Sequence, residues 1–411
     1  MINSFFIFFF IFLMLFGPIA KALVGIEGLT SRLSEKNQEL ASLRQQVESK
    51  EALYSSSAAG FLPTLNVVGG WVQNKTDDLA TAEKGYIGYI EGRYNLFNGF
   101  KDNSLLNQKE IDLKLTKIDL ELKQRELRLA LTEVASDMIL LHKLQNILDE
   151  EYNTTQIQNK MAAKKVAAGL TGSVDNLEFN LRESEIQIEK NQIDQLHKEA
   201  HQKLIQLYGE DLTDSELDKV SFSSVEELVS LTKKFSLENN LEYQKSSLIL
   251  AKAQYVRSES RADYLPKLDF TFNVGRLTPN ENTTLQYNES KYAITLTVPL
   301  FSGFETFNKT KSASFQATSA EKLKMQKISD VQADFNILKN KAIELSALFK
   351  INESKLLNSQ KYFDLTLGEY KRGIKNSPDL VTATERLFSS KKKKYEILKE
   401  LELLKVKIDN I

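Results

Sequence analysis

The chain has 411 residues and carries 54 Lys and Arg against 55 Asp and Glu, so it lacks the basic excess that draws nucleic acid as a partner. It contains no cysteine, which excludes disulfides, thiolate metal sites, a cysteine nucleophile and a lipid-modified N-terminal cysteine. Only six prolines, with abundant Lys, Glu, Gln, Leu and Ala, point to long helices held by packing alone.

Residues 5–16 are an unbroken apolar run, too short to cross a bilayer as a helix, which takes about 20 residues. The run leads to Ala20-Lys21-Ala22, a small-x-small site, so residues 1–22 read as an export signal, with an uncleaved anchor as the alternative. No later stretch is apolar enough for a membrane helix. Any entry into a membrane would have to be made as a barrel.

Residues 28–59 are patterned as a helix, with Leu33, Leu40, Leu43, Val47 and Leu53 near one face, and Pro63 stops it. In residues 64–73, Leu65, Val67, Gly69 and Trp71 alternate with Asn66, Val68 and Gly70, which predicts a strand. After a polar loop, residues 86–96 set Tyr86, Ile90, Tyr94 and Leu96 against Glu91, Arg93 and Asn95. Such a pair fits a membrane barrel, lipid on one side and water on the other, and fits a soluble hairpin with one buried face equally well. Residues 101–168 contain neither Pro nor Gly, and Leu106, Leu113, Leu120, Leu127, Val134, Leu141 and Leu148 recur at every seventh position, a coiled-coil seam. At 1.5 Å per residue such a helix is about 100 Å long. Gly169 ends it, residues 169–175 form a tip, and residues 173–208 return as an amphipathic helix through Leu177, Leu181, Ile186, Ile193, Leu196 and Leu204.

A connector, residues 209–236, carries one small helix near 225–235. The order then recurs: a helix, a cleaner strand through Leu268, Phe270, Phe272 and Val274, a polar loop at 276–290, and a strand through Tyr292, Ile294, Leu296, Val298 and Leu300. A helix over 305–372 follows, with Val331, Phe335, Leu338, Ala342, Leu345 and Phe349 in steps of four and three. A tip at 373–379 leads to a return helix through Leu380, Leu387, Ile397, Leu401 and Leu404. Asn37 and Asn240, Pro63 and Pro266, Phe97 and Phe301, and Gly169 and Gly373 are 203, 203, 204 and 204 residues apart. That register marks a duplicated half-molecule, residues 23–208 and 237–411, each with one β-hairpin (64–96 and 267–300). Four strands cannot enclose a pore, since about eight only fill their own interior; closure needs several chains.

The residues that carry a family resemblance are Leu62-Pro63 and Leu265-Pro266 before each first strand, and Leu96 to Phe100 and Leu300 to Phe304 after each second strand. The tips, Gly169 to Asp175 and Arg372 to Leu380, complete the set. Together they resemble the TolC-like family of outer-membrane efflux channels across the mature chain. The resemblance implies a mostly α fold with a four-stranded β contribution per chain: long antiparallel coiled-coil hairpins that form a trimeric α-barrel beneath a twelve-stranded β-barrel. It further implies a homotrimer in outer-membrane lipid, a periplasmic adaptor and an inner-membrane transporter as partners, no cofactor and no active site. By the same resemblance Asp379 aligns with a ring of aspartates at the periplasmic entrance. Tyr370 and Lys375 align with a pair that locks onto Asp175 of the first tip, and Gly169, Leu170, Ser173, Gly373, Ile374 and Ser377 lie where the tips turn and meet the adaptor. Two departures stand out: Lys375 replaces an arginine, so a bidentate contact becomes a single ammonium contact, and Thr382 stands where a second aspartate ring is expected. Read from the residues alone, Asp175 and Asp379 are acids at helix N-termini, favourable to the helix dipole.

His197 and His201 are four apart on one helix face, a spacing that can bind zinc, but Lys198 stands where a metalloprotease has glutamate and His142 lies on another helix. They read as a solvated or groove-facing pair. Lys391 to Lys394 read as a solvated face, since four consecutive residues point all around a helix. No nucleophile triad or phosphate-cradling glycine loop stands out. The duct has two rivals, a periplasmic structural or adhesive coiled coil with soluble hairpins and, resting on the histidine pair alone, a metal-dependent enzyme.

Overall fold

The computed structural model describes residues 37–73, 84–208, 222, 235–280 and 289–411. The expected helical start over 28–36, both hairpin loops and nearly all of the connector, including its small helix, lie outside them. In chain order the elements are α1 (Gln38–Ser57), β1 (Thr64–Gln73), β2 (Lys84–Phe97), α2 (Lys101–Ala167), α3 (Val174–Tyr208), α4 (Leu241–Ala262), β3 (Lys267–Asn280), β4 (Glu289–Thr297), α5 (Glu305–Lys371) and α6 (Ser377–Asp409). Two compact units divide the chain. One joins Ser42–Lys123 to Ser236–Asp334, and the other holds the described parts of Met1–Ala41, Gln124–Phe235 and Phe335–Ile411.

The landmarks that recur in the sequence are points where chain direction is fixed. Asn37 and Asn240 are N-caps: the Asn37 carboxamide oxygen accepts from the Leu40 N–H at 3.0 Å, and that of Asn240 from the Tyr243 N–H at 2.9 Å. Each Gly-Phe turn places two successive residues at positive φ, 69° and 65° at Gly99 and Phe100, 62° and 65° at Gly303 and Phe304. Asn98 then caps α2 by accepting from the Lys101 N–H at 3.1 Å, and the Ser302 hydroxyl accepts from the Thr306 N–H at 3.4 Å at the start of α5.

The first unit holds one antiparallel sheet in the order β1-β2-β3-β4, so β2 against β3 joins the two hairpins. Opposed residues share a face. Val67 faces Ile90 and Ile90 faces Val274; Trp71 faces Tyr86, Tyr94 faces Phe270, and Phe270 faces Ile294. Most of the large apolar side chains thus collect on one side, while Val68, Ile87 and Tyr89 lie on the other. Among the described residues the first side is largely open: Val67 is 85% exposed, Ile294 69% and Tyr292 64%. The opposite face carries Glu91, Arg93, Asp269, Thr271 and Asn273, with the Arg93 guanidinium 3.5 Å from the Asp269 carboxylate. Gly92 makes room on the apolar face, because a Cβ there would lie 2.1 Å from the Phe272 ring that lies across it. The strands depart from the sequence reading at one loop: residues 276–280 continue β3 instead of leaving it. β4 stops at Thr297, two residues before Pro299, which has no N–H to give a ladder.

In the second unit the expected seam of α2 is buried at Leu127, Val134, Leu141 and Leu148. α5 and α6 pack through Ala342 and Leu345 against Ile397, Leu401, Leu404 and Ile408, with Leu338 and Phe349 alongside. The return helix α3 differs from expectation. Its buried positions are Phe179, Ile186, Ile193 and Ala200, seven apart, with Leu204, whereas Leu177, Leu181 and Leu196 point outward and are half or more exposed. Leucine is apolar on either face of a helix, so only the position of the partner helices selects the seam.

Candidate functional site: the paired helical tips

Both long helices end in the same backbone device. The Gly169 N–H donates to the Val166 carbonyl and the Leu170 N–H to Lys165, both at 2.9 Å. At the second tip the Gly373 N–H donates to Tyr370 at 3.1 Å and the Ile374 N–H to Glu369 at 2.9 Å. Each glycine sits at positive φ, 68° and 80°, the left-handed residue that closes a Schellman turn. Leu170 and Ile374 follow, both strongly exposed.

Tyr370 lies in the last turn of α5 and is wholly buried, 0% exposed, in a cluster with Ala162 of α2, Phe179 of α3 and Leu380 of α6. The Phe179 ring meets it edge-on at 6.1 Å. The Lys165 ammonium stands 3.9 Å from the centre of its ring and donates to its backbone carbonyl. The Ser377 hydroxyl donates to its phenol oxygen at 3.5 Å. Burial raises the Tyr370 phenol above its ordinary range, the Ser377 bond works against that rise, and the negative charge of Asp175 adds to it.

Lys375 pairs within its own tip. Its ammonium lies 3.7 Å from Asp379, four residues on, and among the described residues it forms no ion pair with Asp175. Lys375 stands in the tip turn just before Asn376, the N-cap of α6, and so lies beside the acid in the first turn of that helix. Asp379 also forms a capping box: its N–H donates to the Asn376 carboxamide at 3.2 Å and its carboxylate accepts from the Asn376 N–H at 3.5 Å. Ser173 is exposed at the first tip, and Ser377 is fully buried against Tyr370.

Sequence reasoning missed an ionic cluster further along the same helices. Glu151 of α2 is 0% exposed. It is bonded by Arg182 of α3 and lies 3.4 Å from Lys392 of α6. Arg182 also reaches Glu185 at 2.8 Å and Glu385 at 3.3 Å, and Lys392 reaches Glu189 at 2.8 Å. Burial opposes the charge on Arg182, but the hydrogen bond and charge of Glu151, with Glu185 and Glu385 behind them, hold its pKa above the ordinary value. Lys391 bonds Glu150 at 2.6 Å. The four-lysine run is therefore not the wholly solvated face expected of it: Lys391 and Lys392 fasten α6 to α2 and α3. A signal was present in Glu150-Glu151 and Glu189, but pairing them with residues more than 200 positions away needs the fold. His197 and His201 stack edge to face at 5.2 Å on α3, and among the described residues no group of three or more His, Cys, Asp or Glu is placed to hold a metal.

An amphipathic sheet left bare on its apolar side, together with long helical hairpins tied at glycine tips, is the architecture of an outer-membrane channel subunit. The chain belongs to the outer membrane efflux protein family, whose model matches residues 29–210 and 234–401. It is 27% identical over 152 residues to the alkaline protease secretion protein AprF of Pseudomonas aeruginosa, covering 36% of this chain and 32% of that one, so it matches about a third of that relative's length. The outer membrane protein VceC of Vibrio cholerae has the same fold, with TM-score 0.78, 12% identity and coverage of 94% of this chain and 96% of that one. The open state of the Neisseria gonorrhoeae MtrE outer membrane channel matches with TM-score 0.74 and 14% identity over 94% and 88%.

Proposed function

We propose that this chain is one subunit of a passive export duct: a homotrimer whose β-hairpins form a twelve-stranded barrel in the outer membrane and whose helical hairpins extend into the periplasm. One observation carries the reading. The sheet has an uncovered apolar face, a polar face bearing the Arg93–Asp269 pair, and two edge strands, β1 and β4, each with one unpaired side. In hydrocarbon every backbone group must be paired, so edges of this kind have to be closed by further strands. Joining β4 of one copy to β1 of the next closes them, and the exposed Val174, Leu177, Leu181 and Ile188 stripe on α3 supplies an apolar flank for the adjoining copy. A soluble coiled coil gains nothing from such a sheet.

The efflux family and the protease-secretion relative both favour an export system, with an inner-membrane transporter supplying the energy and a periplasmic adaptor meeting the exposed Leu170 and Ile374 at the tips. Three copies of Asp379 about one axis would form a ring that attracts cations at the entrance, and Tyr370 with Asp175 would hold the entrance shut. Because Asp379 also caps α6, the discriminating substitution is Asp379→Asn, which keeps a polar cap and removes the charge. Purified in detergent, the protein should have the mass of a trimer and form cation-preferring channels in planar bilayers, and Asp379→Asn should reduce that preference. A soluble monomer refutes the duct; unchanged selectivity refutes the ring.

A further inference from the structure

We infer that Lys165, and not Lys375, is the cationic positioning residue that latches the second tip to the first; the inference rests on the duct reading above. Lys165 lies in the last turn of α2, on the first hairpin, and its ammonium makes two contacts with one residue of the second hairpin. It donates to the Tyr370 carbonyl and stands 3.9 Å over the Tyr370 ring. Both contacts are favourable for a physical reason. The carbonyl belongs to the C-terminal turn of α5, where the helix dipole places partial negative charge, and the ring face is the negative pole of the aromatic quadrupole.

The rest of the pocket makes this geometry specific. Phe179 closes the ring edge-on from α3 and Ser377 holds the phenol oxygen, so the side chain of Tyr370 is fixed before the lysine reaches it. Met161 and Ala162 pack in the same cluster, and Lys165 is itself half-buried, which reduces the solvent screening of its charge. Lys375, by contrast, is spent on Asp379 within its own tip, a contact that ties nothing to the other hairpin. Separating the hairpins must break both Lys165 contacts and leaves the Lys375 contact intact.

The test compares the intact protein with Lys165→Met, which keeps the apolar stem, Lys165→Arg, and Lys375→Met, in planar lipid bilayers at equal protein load, with thermal melting recorded in parallel. Lys165→Met should raise the open-to-closed ratio by about tenfold. Lys165→Arg should retain the closed state, since a guanidinium can both donate to the carbonyl and stack on the ring, and Lys375→Met should leave the ratio unchanged. If Lys165→Met melts lower with an unchanged ratio, Lys165 is only a helix cap and the inference is overturned. It is equally overturned if Lys375→Met opens the channel and Lys165→Met does not. Should Lys165→Met fail to assemble, Lys165→Gln, which keeps a donor and loses the charge, is read by the same criteria. An unaltered protein that forms no channel at all refutes the duct reading instead.

Discussion

Glu151 offers the sharpest quantitative test, because a buried charge and a surface charge lie two residues apart on α2 and each meets a basic side chain of α3. Glu151 is 0% exposed and faces Arg182 and Lys392, whose side chains are 16% and 15% exposed. Asp149 is 49% exposed and meets Lys190 at 2.5 Å. Removing one partner of a buried pair strands the other, at a cost of about 3–5 kcal/mol. Glu151→Gln should fall at the low end, about 3 kcal/mol, since Glu185, Glu189 and Glu385 remain to share the two cations. Asp149→Asn should cost below about 1 kcal/mol, as exposed pairs do. In amide hydrogen exchange the amides of α2 and α3 around the cluster should accordingly exchange on the order of 100-fold faster in Glu151→Gln, and by less than about fivefold in Asp149→Asn. Replacing Glu151, Arg182 and Lys392 together by methionine should recover most of the protection, because no charge is then left buried. Equal exchange in the two single variants, or a triple variant worse than Glu151→Gln, would show that the cluster does not hold the helices together.

Two further expectations separate features that look alike. Gly99→Ala and Gly303→Ala both force alanine to positive φ, at about 1–2 kcal/mol each. Only at Gly99 would the new Cβ also meet the Ala262 carbonyl at 2.7 Å and the Leu265 Cβ at 2.8 Å, so Gly99→Ala should lower the denaturation midpoint clearly further, and equal midpoints would refute the close approach. Tyr370 has a raised folded-state pKa, so its contribution to stability is complete below the unfolded phenol value of about 10 and is lost as pH rises through the folded value. The tyrosinate absorbance missing from Tyr370→Phe should therefore appear only above the ordinary phenol range, and titration at or below that range would contradict its burial.

Much of this protein is legible in its sequence because the deciding interactions are short-range. An asparagine caps the helix that begins beside it, a glycine closes the turn in which it stands, and alternation along β1 to β4 sets which side chains share a face, all within a few residues. The same holds for the seams of α2 and α6. The strand limits at Asn280 and Thr297 were less legible, since polar residues at a strand end resemble a loop until a partner strand pairs them.

What the tertiary structure alone decided depends on residues remote in the chain. Leu177 and Phe179 are both apolar, and only the packing of α3 on its neighbours buries the second and leaves the first bare. Lys392 finds Glu189 across 203 positions, and Lys165 finds Tyr370 across 205. Charge is visible in a sequence but its partner is not, because the strength of an ion pair depends on a separation and a local dielectric that exist only once the helices have packed.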